Sequence, residues 1–399
     1  MAATMISGPA TTSTVNASQH IRDVARRLRY LDPEANPFTL VLSAERSEPA
    51  TSFKFEWAEK GGDFSGAGFA PKETAVNNGA GYTDGATSIV VDNGTYVRVN
   101  DQIKVVRTGE VMRCTARATN TLTVVRAVGS TAAAALVDND DLFILGTSVP
   151  EGAAVGTGQE HQEAWKFNYV QIFRTVAEAT ETQSWQANYL GNERTRKRAE
   201  KAIEHKIDME RAFLFGERNR DTSTSPGPTN LTGGAFYWAT SNSKDAAGTL
   251  TEPEVWNWCE QLFAHTAGGP TRTVYSSLTL LSVIDMLAGA RLQTVPADRT
   301  YGIAVKEWLT SHGRLLFVAH RLLEAGPNSS VIGTGAAGYG GVGLGLDISQ
   351  LRFRYGRNTK LLTDRQAPGD DKWADEYLTE AGLECSLPLV HGVLRNVTG

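Results

Sequence analysis

The stretch from Ser184 to Arg220, SWQANYLGNERTRKRAEKAIEHKIDMERAFLFGERNR, indicates one long and heavily charged helix. Apolar residues recur along it at helical spacing, namely Ala199, Ala202, Ile203, Ile207, Phe213 and Leu214. Glu193 precedes Lys197 by four residues in the favourable order, whereas Arg194 and Arg198 repeat one charge at that spacing. We therefore expect one packed stripe and several unpaired charges that are available to a neighbour. A solvated face of an ordinary globular protein is the alternative.

Composition limits the classes to which the chain can belong. Its 399 residues are 41% hydrophobic, enough for the cores of two or three domains. The formal net charge of -5 lacks the basic excess of a protein that grips nucleic acid over its whole surface. Cys114, Cys259 and Cys385 are far apart, so neither a disulfide framework nor a zinc site is expected. Such cysteine usage fits synthesis in a reducing, intracellular place.

The first 81 residues are predicted to form an arm and then an extended loop. Pro33, Pro37 and Pro49 interrupt any long regular element, so residues 1–50 are interpreted as an arm. Its start has neither a basic nor an apolar signal region, and the chain has no run of eighteen uncharged apolar residues. We therefore expect neither export nor membrane insertion. Residues 51–57 alternate as a strand and lead into a glycine-rich, mobile loop.

Residues 82–147 are predicted to form a small β domain inserted into a host domain. Short β-branched runs such as TLTVVRA and DLFIL are separated by turn signals such as Asp92-Asn93-Gly94. This texture is typical of a meander that closes into a barrel or sandwich. An exposed loop accepts such an insertion because few contacts are disturbed.

The second half alternates helices and strands. Thr251 and Glu254 form a capping box before the apolar positions of a short helix, with Trp258 on the packed face and Trp256 left ambiguous. Ser277 is a candidate cap for a second helix, and YGIAVKEWL (301–309) with RLLFVAHRLL (314–323) read as two strands about a turn at 311–313. The last three apolar runs, LRFRY, WADEYLTEAGLEC and PLVHGVLRNVT, are interpreted as three strands of one terminal sheet.

Candidate chemical motifs are weak. Residues 333–338 contain a literal GxGxxG, but the glycine-rich continuation opposes the helix that a dinucleotide-binding fingerprint must open. A flexible turn is the favoured interpretation, and an enzyme that uses this loop is the alternative. Seven histidines never occur as HExxH, no GxSxG elbow is present, and the doublets Asp140-Asp141 and Asp370-Asp371 lie in turn-like surroundings. We expect no catalytic site, cofactor or metal.

The order of these elements resembles a tailed-bacteriophage major capsid protein with the HK97-like fold, of podovirus type with a β insertion in the extended loop. The telling segments are TGEVMRCTA (108–116), TNTLTVVRAVGST (119–131), YVQIFR (169–174), KAIEHKIDMERAFLFGERN (201–219) and DEYLTEAGLECSLPLVHGVLRN (375–396). None is a catalytic motif, so the resemblance depends on order and combination over nearly the whole chain.

The resemblance implies an α+β chain with seven segments. These are an N-terminal arm (1–50), the first part of an extended loop (51–81), the inserted β domain (82–147), the loop return (148–165), a peripheral domain (166–249) with a spine helix (184–218), an axial domain (250–330), and a return with a terminal sheet (331–399).

The resemblance further implies a structural protein and not an enzyme. Many copies would form hexamers and pentamers of an icosahedral virion shell around double-stranded DNA. The shell would contact the DNA non-specifically and would be assembled in the host cytoplasm, without a membrane. A separate scaffolding protein and a portal are implied partners, with a decoration protein as a further option. The candidate assembly residues are Arg26, Arg27, Phe53, Lys54, Phe55, Lys60, Arg194, Arg196, Arg198 and Asp208. The alternative function is a surface-exposed virion protein whose β domain binds glycans or cell surfaces.

Overall fold

The computed structural model describes residues 37–60, 72–153, 162–186, 191–265, 267–288, 305–323 and 341–397. The helices span α1 Pro37–Glu45, α2 Glu181–Trp185, α3 Glu193–Phe215, α4 Ala235–Trp238, α5 Glu252–Phe263 and α6 Leu278–Ala288. The strands span β1 Ser47–Pro49, β2 Lys54–Glu59, β3 Glu73–Ala75, β4 Ser88–Val90, β5 Asp101–Val105, β6 Val111–Ala118, β7 Thr121–Val125, β8 Asp141–Thr147, β9 Ala164–Tyr169, β10 Gln171–Thr180, β11 Asn219–Asp221, β12 Thr229–Leu231, β13 Asn242–Gly248, β14 Thr271–Ser276, β15 Val305–Leu309, β16 Arg314–Ala319, β17 Gly343–Leu346, β18 Leu351–Leu362, β19 Lys372–Cys385 and β20 Gly392–Val397.

The described chain divides into two compact units. One unit holds the described residues up to Phe55 together with those from Asn168 onward, and the other runs from Glu56 to Phe167. Strands β2 and β9 pair as a two-stranded ribbon where the chain passes from one unit to the other and returns. We call the unit with the described residues up to Phe55 and from Asn168 onward the main unit, and the unit from Glu56 to Phe167 the β unit.

A four-stranded sheet of the main unit supports the longest described helix. Its strand order is β1-β18-β19-β10, with β1 parallel to β18 and the other neighbours antiparallel. Strand side chains alternate between faces, so Phe173 and Ala177 of β10 lie buried on the face that α3 covers. The Phe213 ring of α3 packs edge-on against Phe173 and Phe353, with ring centroids 6.3 and 5.5 Å apart. This aromatic cluster fixes the helix on the sheet.

A six-stranded sheet in the same unit has the order β13-β20-β17-β14-β16-β15. Helices α5 and α6 share its apolar core, in which Trp258 is 1% exposed. The predicted capping box is confirmed, because Thr251 and Glu254 bond reciprocally. The Ser277 cap is confirmed as well, since its Oγ accepts from the Leu280 N–H at 3.1 Å. Trp256 is partly buried and meets Trp308 edge-on, so this ambiguous residue belongs to the core.

The β unit contains a second six-stranded sheet, of order β3-β8-β5-β6-β7-β4, with antiparallel neighbours throughout. Alternate residues enter a core of their own, among them Ile103, Leu122 and Leu142. The sheet begins at Glu73, ahead of the expected boundary at residue 82, because β3 pairs with β8. Gly94 is required by close approach, since a Cβ there would lie 2.2 Å from the Thr119 carbonyl oxygen.

The spine helix is shorter than predicted. Residues 184–218 were expected to form one helix, but α3 begins at Glu193, where the Asn192 side chain caps it by accepting from the Thr195 N–H at 3.2 Å. It ends at Phe215, and Gly216 follows as the C-cap, where a Cβ would lie 2.4 Å from two carbonyl oxygens. Ser184 belongs to the separate helix α2. Helical spacing of the apolar residues predicted one continuous helix, but the caps at Asn192 and Gly216 limit α3 to a shorter segment.

The packed stripe of α3 is also rotated from the predicted one. Ala199 is exposed, and the two isoleucines and Ala202 of the predicted stripe are only partly buried. The buried helix residues are Glu193, His205, Met209, Glu210, Phe213 and Leu214. His205 is buried against hydroxyl groups of the four-stranded sheet, and Glu210 against the first N–H groups of α1 and the ring of His320. A hydrophobic pattern does not contain those partners.

The interpretation of one terminal sheet is wrong for its last strand. β18 and β19 lie in the four-stranded sheet, whereas β20 pairs with β13 and β17 in the six-stranded sheet. Leu387 adopts a left-handed backbone (φ 52°), and a 3₁₀ turn at Pro388–Val390 follows it. This corner redirects the chain. The predicted strand pair about Gly313 is confirmed, with the Thr310 N–H donating to the Gly313 carbonyl at 2.9 Å.

Among the described helices, none combines the length and apolar character needed to cross a membrane. The three cysteines are free and buried. The glycine-rich motif at 333–338 lies outside the described residues.

Candidate assembly surfaces

The arginines at the start of α3 bind their own chain. Arg194 and Arg198 both reach the carboxylate of Asp375 on β19, at 2.7 and 2.8 Å, and Arg194 also pairs with Asp364 at 2.6 Å. The Asp375 side chain is fully buried, and hydrogen bonds from Arg194 and Arg198 hold its pKa well below the usual range. Two like charges four residues apart are thus explained, because both arginines donate to one carboxylate.

Neighbouring charges on the helix are also paired within the chain. Arg196 bonds to Glu193 at 2.6 Å, and the Lys197 ammonium donates to the Glu178 carbonyl oxygen at 2.9 Å. The expected Glu193–Lys197 pair is therefore replaced. The prediction that the charges of Arg194, Arg196 and Arg198 are unpaired is wrong. Their side chains are each roughly 30% exposed, and a role in contacts between chains stays a prediction.

Asp208 is different, because it lies on the open side of α3. Its carboxylate is 55% exposed and 3.7 Å from Arg211, one helical turn away. A solvent-exposed pair at that distance contributes little to stability. Of the four predicted helix candidates, Asp208 is the one whose charge does little for its own fold.

The predicted contacts near the loop fall into two groups. Phe53 is 48% exposed, with its ring stacked on Tyr169 and covered by the Arg220 guanidinium 4.4 Å from the ring centroid. Phe55 is only 8% exposed, so its proposed contact with another chain is corrected to packing within the main unit. Strand alternation put these two residues on one face, but Phe55 faces the sheet at Gly382.

The remaining candidates are two lysines and two arginines. Lys54 is partly buried on β2, and Lys60 lies 3.5 Å from Glu163 within the β unit, with both side chains exposed. Arg26 and Arg27 lie outside the described residues.

A buried carboxylate that the sequence analysis missed joins three elements of the main unit. Glu210 of α3 is fully buried and accepts the N–H groups of Phe38 and Thr39 at 2.8 and 2.7 Å. His320, just after β16, lies 2.7 Å from the same carboxylate through Nε2. The Leu322 N–H donates to the other ring nitrogen at 3.2 Å, so the proton sits on Nε2 and is directed at Glu210.

This joint connects the first described helix to both sheets. The N–H groups at the start of α1 have no partner within the helix, and a carboxylate there is favoured by the helix dipole. Tyr275 packs against both Phe38 and His320, and burial together with the Glu210 charge raises the pKa of its phenol. The sequence signal for this joint was the position of Glu210, which precedes the apolar Phe213 and Leu214 by three and four residues and so shares their helix face.

Two buried histidines make further joints. His205 of α3 lies 2.9 Å from the Thr175 hydroxyl and 2.7 Å from the Thr379 hydroxyl, and burial lowers its pKa. His391 accepts the Asp347 N–H at 3.2 Å, and burial lowers its pKa to about 4. Both rings are neutral near pH 7, so they act as hydrogen-bonding spacers between strands.

The open face of β10 exposes two apolar side chains of the four-stranded sheet. Ile172 and Val176 are 54% and 48% exposed, and the charged residues Arg174 and Glu178 alternate with them. Arg174 pairs with Glu376, and Glu178 pairs with Lys372 at 2.9 Å. On this face, ion pairs therefore alternate with exposed apolar side chains.

The polar clusters described above connect elements of one chain. Within the described ranges no three His, Cys, Asp or Glu residues are grouped so that they could hold a metal ion. The buried charges hold helices and strands of the main unit together.

Comparison with known proteins gives the family. A family model described as SU10 major capsid protein matches residues 8–398. Because the match spans nearly the whole chain, the protein belongs to the SU10 major capsid protein family. It is a structural component of a virion that assembles in many copies into a shell, as the resemblance predicted.

Individual relatives are distant. A major capsid protein of Pseudomonas phage PaMx41 is 24% identical over 296 residues, which cover 69% of this chain and 67% of the relative. A solved chain from Mycobacterium phage Bobi has a TM-score of 0.48 at 12% identity and covers 98% of this chain and 99% of its own. The capsid of an empty GTA particle has a TM-score of 0.42 at 10% identity, with 63% and 81% covered. At such scores the assignment depends on the family match alone.

Proposed function

We propose that this chain forms the hexamers and pentamers of an icosahedral shell that encloses double-stranded DNA. The observation that carries the proposal is the family match over residues 8–398. Interlocking subunits suit such a shell, because surface shared with neighbours compensates for the cost of ordering extended segments. A net charge of -5 suits a container, since packaged DNA must not adhere to the wall.

The two sheets of the main unit receive separate roles in this proposal. The four-stranded sheet with α3 is the peripheral domain, and the six-stranded sheet with α5 and α6 is the axial domain near the capsomer axis. The β unit is the extended loop with its inserted domain. The separate core of the β unit supports this, because an element with its own core can project over a neighbour without unfolding.

The partners in this proposal are a scaffolding protein, a portal and, as an option, a decoration protein. Assembly takes place in the host cytoplasm, and contact with DNA is non-specific. The chain has no enzymatic role in this proposal, since the polar joints that we describe hold structure. Glycan binding by the β unit stays the alternative, and a polysaccharide-binding assay on intact particles tests it.

Electron microscopy of the purified chain, expressed with and without its scaffolding partner, tests the proposal. The expected result is closed particles or capsomers. The variant Asp375→Asn, which weakens the joint between α3 and β19, provides a matched sample in which fewer particles form. A chain that stays a monodisperse monomer under all conditions contradicts the proposal.

A further inference from the structure

Strand β10 lies at an open edge of the four-stranded sheet. In the part of the chain that the structure describes, β19 is its one sheet neighbour. Exposed edge strands are surfaces on which another strand can add. Arg174 is 59% exposed and Val176 48%, so the middle of this strand is accessible from the open face as well.

The backbone groups at this edge belong to the even-numbered residues. The Glu178 carbonyl oxygen accepts a hydrogen bond from the Lys197 ammonium at 2.9 Å, which places that carbonyl on the side away from β19. Backbone groups alternate in direction along a strand, so those of Arg174 and Val176 point to the same edge. A carbonyl oxygen has two lone pairs, and Glu178 can accept a second donor.

The sequence of β10 is complementary to itself about Val176. In an antiparallel pair centred on this residue, Val176 faces its own copy, and Arg174 faces Glu178 of the second copy. We propose that β10 pairs in this way with β10 of a second copy of this chain, with Val176 on a two-fold axis. The proposal deepens the proposed shell function and rests on it, since it names one contact between copies.

Charge complementarity fixes both the occupant and the register. Arg365, Glu376 and Arg174 form an alternating row across the sheet, and the row would continue into Glu178 and Lys372 of the second copy. Moving the two-fold axis to residue 174 or to residue 178 would set Arg174 against Arg174 or Glu178 against Glu178. Moving it to residue 175 or 177 would set Arg174 or Glu178 against Val176, so the facing opposite charges would be lost. Like charges directly opposed across strands are destabilising, so the Val176 register is selected.

The contact is small, and its size determines where it should be found. A stable isolated dimer buries on the order of 1,600 Å² in total, which a few paired strand residues do not reach. The pairing should therefore be weak in dispersed protein and persistent in particles, where other contacts hold the two copies in place.

A symmetric disulfide tests the proposal. Facing residues of an antiparallel pair have Cα atoms about 5.5 Å apart, within the roughly 4.4–6.8 Å that a disulfide spans. Val176→Cys should therefore give a covalent dimer when particles and concentrated dispersed protein are oxidised by oxygen with a copper catalyst. Ile172→Cys is the matched control, since two copies of residue 172 would lie roughly 27 Å apart. The native cysteines are buried.

A charge exchange gives a second readout in the Val176→Cys background. Arg174→Glu should remove most of the dimer, and the double change Arg174→Glu with Glu178→Arg should restore it, because opposite charges face each other again. If neither particles nor dispersed protein give more dimer with Val176→Cys than with Ile172→Cys, the pairing is overturned. Particles that form normally but do not cross-link overturn the pairing alone, whereas the absence of particles counts against the shell function.

Discussion

The β unit and the main unit are both stabilised by buried polar contacts, but the partners in those contacts differ in sequence separation. In the β unit the buried ion pair between Arg126 and Glu110 joins residues 16 apart in sequence, at 2.7 Å, with side chains 6% and 0% exposed. In the main unit Glu210 reaches Phe38 across 172 residues, and Arg194 reaches Asp375 across 181. The β unit is closed by local pairing, and the main unit by polar joints between distant segments.

The difference matters for a protein that must fold and then assemble. A contact between distant segments offsets the entropy lost in closing the loop between them only after those segments have come together. We therefore expect the stability of the main unit to depend on Glu210 and Asp375. We expect the stability of the β unit to depend on its own core. Four changes test this comparison.

Glu210→Gln should give the largest loss of stability. Removing one partner of a buried charged cluster costs about 3–5 kcal/mol, since the N–H groups of α1 and the ring of His320 lose the carboxylate. The measurement is urea unfolding followed by tryptophan fluorescence. Glu204→Gln is the control on the same helix, because Glu204 is exposed and paired with Lys201. Equal losses in the two variants would sink the proposed joint.

Leu142→Ala should destabilise the β unit and spare the main unit. Leu142 is fully buried on β8, and truncation of a buried leucine costs about 2–4 kcal/mol. Hydrogen exchange should show lost protection over 73–147 and unchanged protection over 351–385. Loss of protection in both regions would mean that the two cores are not independent.

Asp375→Asn should cost about 1.5–3 kcal/mol, because hydrogen bonds from two arginines to a buried carboxylate are weakened. The folded-state pKa of Asp375 is lowered, chiefly by its hydrogen bond to Arg194, so its stabilisation is present above the unfolded value near 3.8 and is lost as the pH falls below it. Unfolding between about pH 5 and pH 2 measures this. The variant should show a shallower loss of stability on acidification, and an unchanged slope would contradict the assignment.

Asp208→Asn should have the smallest effect on folding, below about 0.5 kcal/mol, because the side chain is exposed and its pair with Arg211 is loose. If Asp208 contacts another copy, particle yield should fall while the thermal midpoint stays constant. Arg211→Gln, which removes the other member of the pair, is the companion variant. An unchanged particle yield would remove Asp208 from the interface candidates.

Sequence patterns predicted the elements well wherever the signal was local. The capping box of Thr251, the Ser277 cap and the strand pair about Gly313 each depend on residues within a few positions of one another. The helix ends were missed because the Asn192 side-chain cap and the close backbone approach at Gly216 are not contained in helical spacing.

The polar joints were beyond the reach of a sequence pattern. The arginines of α3 were read as unpaired, since Asp375 lies 181 residues from Arg194 and nothing local connects them. Glu210 and His205 were not among the predicted packed positions, because a charge or an imidazole is buried only when its partners are already in position.

The sequence by itself determined a charged helix, a β-rich segment, an α+β chain and its capsid family, because those features depend on local spacing and on the order of elements. Tertiary structure alone decided which charges are buried, where the last strand pairs, and which face of β10 stays open. A buried carboxylate such as Glu210 is stable only when donors from distant segments converge on it, and that convergence is a property of the folded chain.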